Sequence, residues 1–92
     1  VEQLLAAGID GVVIADSTAV HPELILASVA AGLPTFCEKP ISLDTAASAE
    51  ILRRVSASDV QVQIGYPRRF DAAFVEARRA LRAGELGEAA VI

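Results

Sequence analysis

Three short apolar runs punctuate this chain: Gly11-Val12-Val13-Ile14-Ala15, Pro34-Thr35-Phe36-Cys37 and Val60-Gln61-Val62-Gln63-Ile64. Between them lie longer segments with helical spacing of their apolar residues. That alternation confines the chain to an α/β fold, because strands separated by helices pair in parallel and each crossover packs back on the sheet. The first run has no polar alternation and predicts a strand buried on both faces. The third does alternate: Val60, Val62 and Ile64 point one way and Gln61 and Gln63 the other, which predicts a strand half exposed or covered by another layer.

The helical segments carry their own punctuation. Val1 to Ala7 reads as the tail of a helix, with Gly8 placed for a left-handed C-terminal cap. Pro22 suits the first turn of the next helix and Glu23 complements its positive end. Leu24, Ala27, Ser28 and Ala31 give that helix a small-residue face able to approach a sheet, and Gly32 ends it. Asp44 or Ser42 is the expected cap of a helix running to about Val55, with Ala47, Ile51, Leu52 and Val55 on its apolar side. Phe70 to about Ala83 predicts a long amphipathic helix with Phe74, Ala77 and Leu81 on one face, terminated and punctuated by Gly84 and Gly87. Ala89-Ala90-Val91-Ile92 predicts the beginning of a fourth strand. The expected fold is therefore α/β: the second half of a Rossmann-like doubly wound parallel sheet over residues 1–66, then a linker helix and the first strand of a following α+β domain over 67–92.

Bulk properties narrow the function. With 92 residues, 53% of them hydrophobic, the chain supplies one small core. Its net charge is −4, and its paired arginines (Arg53-Arg54, Arg68-Arg69, Arg78-Arg79) form no continuous stripe, so no nucleic-acid partner is expected. No apolar run approaches the ~20 residues that span a bilayer, and no membrane partner is expected. The lone Cys37 permits no intrachain disulfide, which fits a reducing compartment and a cytoplasmic location. The chain starts at Val1 without a signal-type leader and contains no Met, which predicts an internal start and a piece of a longer protein.

Ligands of open parallel sheets bind at the carboxyl ends of the strands. Three segments are expected on that rim: Asp16-Ser17-Thr18 with His21, Glu38-Lys39-Pro40, and Tyr66-Pro67-Arg68-Arg69. Lys39 emerges from an apolar strand, beside Glu38 and ahead of Pro40, which biases it toward an extended conformation. If partly desolvated there, it suits proton exchange with a hydroxyl; the alternative is an ordinary strand-end lysine in a solvated turn. His21 either hydrogen-bonds a cofactor ribose or nicotinamide, or only caps its helix or packs at the surface. Arg68 and Arg69 are planar forks for hydroxyls or a carboxylate, or else arginines that are solvent-exposed or paired with Asp71 and Glu76; the second reading is favoured for Arg69. Cys37 is expected to be a small buried hydrophobe. No spacing supports a metal site, a nucleophile elbow or a Ser-His-Asp set. Neither a GxGxxG nor a GxxxxGK[ST] turn is present, so the phosphate cradle of a complete dinucleotide domain is absent from these residues.

Taken together, Ala31-Gly32, Pro34-Thr35-Phe36-Cys37-Glu38-Lys39-Pro40-Ile41 and Val62-Gln63-Ile64-Gly65-Tyr66-Pro67-Arg68-Arg69-Phe70-Asp71 resemble the glucose–fructose oxidoreductase/inositol dehydrogenase/rhizopine catabolism family. Phe-Cys-Glu-Lys-Pro and Gly-Tyr-x-Arg-Arg-Phe-Asp are most similar to its inositol 2-dehydrogenase branch, and Gly84-Glu85-Leu86-Gly87-Glu88 resembles the family's passage into its second domain. The resemblance implies hydride transfer between NAD, with NADP also compatible, and a hydroxyl carbon of a sugar or cyclitol. It implies that Lys39 contacts the reacting hydroxyl as a catalytic and substrate-binding group. It further implies that Ser17, Thr18, His21, Glu38, Lys39 and Pro40 line the nicotinamide side of the cofactor, that Arg68 reaches toward substrate, and that Lys39–Pro40 is a cis peptide. The full-length enzyme is expected to be a homo-oligomer. Asp16-Ser17-Thr18 departs from the family's common Thr-Pro-Asn loop, and the family's glycine-rich turn and downstream Asp and His lie outside these residues, so the piece alone is expected to be inactive. A non-catalytic α/β binding or interaction module is the alternative, and a phosphoacceptor receiver is disfavoured because Asp16 stands without an acidic cluster.

Overall fold

In a computed structural model, which describes residues 1–88 and 90, the elements follow the expected order. They are α1 (Glu2–Leu5), β1 (Val12–Ile14), a 3-10 turn (Thr18–Val20), α2 (His21–Ala30), β2 (Thr35–Glu38), α3 (Thr45–Ser56), β3 (Val62–Gly65), a second 3-10 turn (Pro67–Arg69) and α4 (Ala72–Arg82). Of the fourth strand expected at residues 89–92, positions 89, 91 and 92 lie outside the described residues.

The three strands form one sheet in the order β1-β2-β3, with both pairings parallel. Ile14 lies beside Cys37, and Cys37 beside Ile64; Val13 lies beside Phe36, and Phe36 beside Gln63. A strand turns alternate side chains to opposite faces, so the two rows look out from opposite sides of the sheet. Ile14 and Cys37 meet Ile25 of α2 and Ile51 of α3 in the buried core, with Val12, Leu24, Leu26, Val29, Ile41, Val55, Val62 and Ile64 packed around it. Sequential parallel strands with both helices on one face make one half of a doubly wound sheet.

Local chemistry explains where each helix begins and ends. Pro22 lies in the first turn of α2. Beyond its C-terminus Gly32 takes φ +73°, while its N–H donates to the Val29 carbonyl and the Leu33 N–H to the Ser28 carbonyl, the two-bond closure that needs a left-handed residue. Asp44, one of the two expected caps, accepts from the Ala47 N–H at 2.8 Å and opens α3, while Arg53 and Arg54 lie at its negative end. Asp71 does the same for α4, accepting from the Ala73 N–H at 3.0 Å.

Four details depart from expectation. Val13 is 75% exposed, because β1 is covered by helices on one face only among the described residues. The face of α2 that enters the core is His21, Ile25 and Ser28, and Ala31 is exposed. Ile51 of α3 is buried as expected, but Leu52 is 61% exposed, having turned about 100° around the axis from its neighbour. The amphipathic helix α4 buries none of its residues in the described structure.

Candidate functional site

The expected rim is assembled at the carboxyl ends of the strands. Ser17 and Thr18 follow β1, with the Ser17 N–H donating to the Asp16 carboxylate at 2.6 Å. Glu38 closes β2; Lys39 and Pro40 follow it through a cis peptide bond, as the resemblance implied. Gly65 closes β3 and leads into Tyr66 and the Pro67–Arg69 turn.

One shared hollow and one buried side chain relate these segments. A cleft of about 240 Å³ is lined by Lys39 from the second segment and by Tyr66, Pro67, Arg68 and Arg69 from the third. Lys39 and Arg68, singled out separately in the sequence, thus share one hollow. The Arg68 guanidinium lies over the Phe74 ring, 5.2 Å from its centroid, so the first turn of α4 orients it. Tyr66 is the residue that sequence reasoning left without a role; its place directly after a strand end was the available signal. Arg69 also lines the cleft. It is solvent-exposed, one of the two forms of the reading favoured for it; the other, pairing with Asp71 and Glu76, is not seen, since Asp71 caps α4 and Glu76 binds Arg79 at 2.8 Å.

The first and second segments are joined by His21. Its Nδ1 lies 2.8 Å from the Pro40 carbonyl oxygen and its Nε2 3.1 Å from the Asp16 carbonyl oxygen. The residue is 1% exposed. With both ring nitrogens facing backbone carbonyls and the ring buried, His21 does not turn a ring nitrogen out to the rim, where a cofactor contact was expected of it. Nor does it lie at the surface. The cue was missed because a histidine at a helix start beside polar loop residues looks like a rim residue.

Lys39 and Glu38 are exposed, so the expected partial desolvation of Lys39 is not supplied by this chain; nothing among the described residues covers the rim above it. Behind them the packing is tight. A Cβ on Gly65 would come within 2.9 Å of Phe36 Cζ and 3.4 Å of the Glu38 carboxylate, so glycine lets the ends of β2 and β3 close together. Cys37 is fully buried, and burial, with Glu38 adding to it, pushes its thiol pKa above the ordinary range. It is the inert core residue expected, unsuited to nucleophilic chemistry.

Comparison with known proteins places this geometry. The chain is 40% identical over 83 residues to inositol 2-dehydrogenase 4 of Saccharopolyspora erythraea, a match covering 89% of this chain and 25% of that protein. It is 37% identical over 81 residues to the scyllo-inositol 2-dehydrogenase (NAD(+)) of Bacillus subtilis, covering 88% of this chain and 24% of that one. The crystal structure of scyllo-inositol dehydrogenase from Lactobacillus casei with bound NAD(H) and scyllo-inositol superposes with a TM-score of 0.87 at 29% identity, over 95% of this chain and 26% of the other. The chain thus spans about a quarter of the length of the relatives it matches. Residues 1–66 match the model of a family described as "Oxidoreductase family, NAD-binding Rossmann fold", the same family that the Glu-Lys-Pro and Gly-Tyr-x-Arg-Arg-Phe-Asp strings resemble. On the combined strength of its parallel half-sheet, its rim and these matches, the chain belongs to the oxidoreductase family with an NAD-binding Rossmann fold.

Proposed function

We propose that this chain forms the nicotinamide-side half of a dehydrogenase that transfers hydride between NAD and a hydroxyl carbon of a cyclitol, with residues 1–66 completing the dinucleotide domain and 67–92 leading into a substrate domain. One observation carries the reading: Lys39, at the carboxyl end of the central strand, opens into the same cleft as Tyr66 and Arg68. The NAD named for two of the relatives supports the choice of cofactor.

The residues present fit the nicotinamide end of such a cofactor. Ser17, Thr18, Glu38, Lys39 and Pro40 offer hydroxyl, carboxylate, ammonium and backbone carbonyl groups on one rim, complementary to a carboxamide and a ribose. A glycine-rich phosphate cradle is not among these residues, so they hold only that end. The cofactor, when bound, supplies a two-electron acceptor for the hydride leaving the carbinol carbon. Lys39 Nζ would hydrogen-bond the reacting hydroxyl: as the neutral amine it accepts the hydroxyl proton while the carbonyl forms, and as the ammonium it returns that proton in the reverse direction. Arg68, over the Phe74 ring, would present its N–H donors to neighbouring hydroxyls. Bound cofactor and substrate would themselves cover the rim and exclude the water that reaches Lys39 in this chain.

In the full-length protein, Lys39→Ala is expected to lower turnover with inositol-type substrates by roughly 10²- to 10⁴-fold while NADH still binds, the range typical of losing a positioned acid–base group. Steady-state kinetics and NADH fluorescence titration measure the two effects. Unchanged turnover would reduce Lys39 to a strand-end lysine.

A further inference from the structure

His21 is a wholly buried polar side chain for which the proposed reaction has no use as a ligand. Both ring nitrogens face carbonyl oxygens, and a carbonyl only accepts, so each contact requires an N–H on the ring. A neutral imidazole carries one N–H and serves one carbonyl; the protonated ring serves both. The two carbonyls belong to residues that flank the cofactor rim from different strands: Asp16 after β1, and Pro40, immediately after Lys39.

Beyond Pro40 the segment is tied down by Ile41, which packs on the core, and by the Ser42 hydroxyl, which bonds Asp44 and Ser48; at Lys39 and Pro40 themselves there are few other restraints. Among the described residues, no backbone–backbone hydrogen bond outside the regular elements involves residues 39 to 43. The Lys39 N–H reaches only the carboxylate of its own neighbour Glu38, at 3.3 Å, and Pro40 has no N–H to donate. The Pro40 carbonyl is therefore held by His21, at the shorter of that ring's two distances, 2.8 Å. His21 is itself held: it is the first residue of α2, whose Ile25, one turn on, lies fully buried in the core.

We propose that His21 is a positioning residue, a buried brace from α2 that fixes the Lys39–Pro40 segment against the Asp16–Thr18 loop and so sets where the Lys39 ammonium stands over the cleft. The inference rests on the reading of Lys39 as the group that contacts the reacting hydroxyl. A displacement of the segment by an ångström would leave the cofactor bound yet move Lys39 off the hydroxyl, and losses of that kind fall on turnover.

The two bonds can be separated by substitution in the full-length protein. In His21→Asn the side-chain amide nitrogen stands near the position of Nδ1 and keeps the donor to Pro40. In His21→Gln it stands near Nε2 and keeps the donor to Asp16 instead. The expected result is that His21→Ala and His21→Gln each lose about tenfold or more in kcat with little change in KM for NAD, while His21→Asn stays within about threefold of the parent. Crystal structures of the variants should show the Lys39–Pro40 segment displaced in the alanine and glutamine forms and retained in the asparagine form. Equal kcat in all three variants, or a glutamine form more active than the asparagine form, would overturn the assignment, as would an undisplaced segment in the alanine form. The structural arm stands apart from activity. If the parent protein oxidises no cyclitol, the functional reading fails while the brace is still judged by the position of Pro40.

Discussion

Replacing Ile25 with alanine tests whether α2 is the element that ties the sheet to the rim. Ile25 is fully buried and meets Ile14, Cys37 and Ile51, so it joins the three other elements of the core, β1, β2 and α3, at one point. The substitution removes three buried carbons, worth roughly 2.4 kcal/mol at ~0.8 kcal/mol each. Unfilled space adds up to about 2 kcal/mol more at ~24 cal/mol per Å³ if the neighbours hold their places. The expected destabilisation is about 2.5 to 4.5 kcal/mol, a large share of the ~5–15 kcal/mol that typically holds a domain folded. Ile25→Val, which removes a single carbon, should cost about 1 kcal/mol. Native-state hydrogen exchange of the β2 amides in the full-length protein is the suitable assay, because it reports opening of this sheet whatever other parts of the molecule do. A loss below about 1 kcal/mol for the alanine form would mean that the core does not converge on Ile25, and that α2 is a poorer support for His21 than its packing indicates.

Two further outcomes follow from the ionisable groups. Burial and Glu38 raise the Cys37 pKa, so the folded chain holds that proton more tightly than the unfolded one; Cys37 should resist alkylation at neutral pH until the domain opens, and its contribution to stability should fade as pH rises above the ordinary thiol value of ~8.5, whereas labelling at the rate of a free thiol would refute this. The Arg53 guanidinium, hydrogen-bonded to Glu50 at 2.7 and 2.8 Å, lowers that carboxyl's pKa; the small benefit to α3 is present above the usual glutamate value of ~4.3 and is lost as pH falls through the lowered one, so a carboxyl-carbon NMR titration of Glu50 with its midpoint at or above the usual value would contradict the ion pair.

The features most legible in the sequence were those with local causes. Gly32 and Asp44 act through bonds to residues three positions away, and each was expected at a helix end; Asp71, expected as an arginine partner inside a helix from Phe70, caps α4 instead. The order of strands was legible because each apolar run is bounded by turn or helix signals. The phase of α2 was not. Its sequence, Leu24-Ile25-Leu26-Ala27 onward, is apolar nearly all round, so periodicity could not select Ile25 over Leu24 or Leu26. β1 was read as covered on both faces because Val12, Val13 and Ile14 are all apolar, and one of those faces is bare in the described structure. At the site, the convergence of Lys39 with Arg68 followed from strand ends alone, whereas the role of His21 depends on a contact with Pro40, nineteen positions away, that no spacing rule encodes.

The strand order has a mechanical consequence for the rim. β2 is bonded along both edges, while β1 and β3 are each bonded along one edge among the described residues. Lys39 therefore follows the strand that is bonded along both edges among the described residues, and the Ser17–Thr18 and Tyr66–Arg69 segments follow the strands on either side of it. On the reading of Lys39 as the group that meets the reacting hydroxyl, that lysine starts from a strand end carrying ladder bonds on both sides.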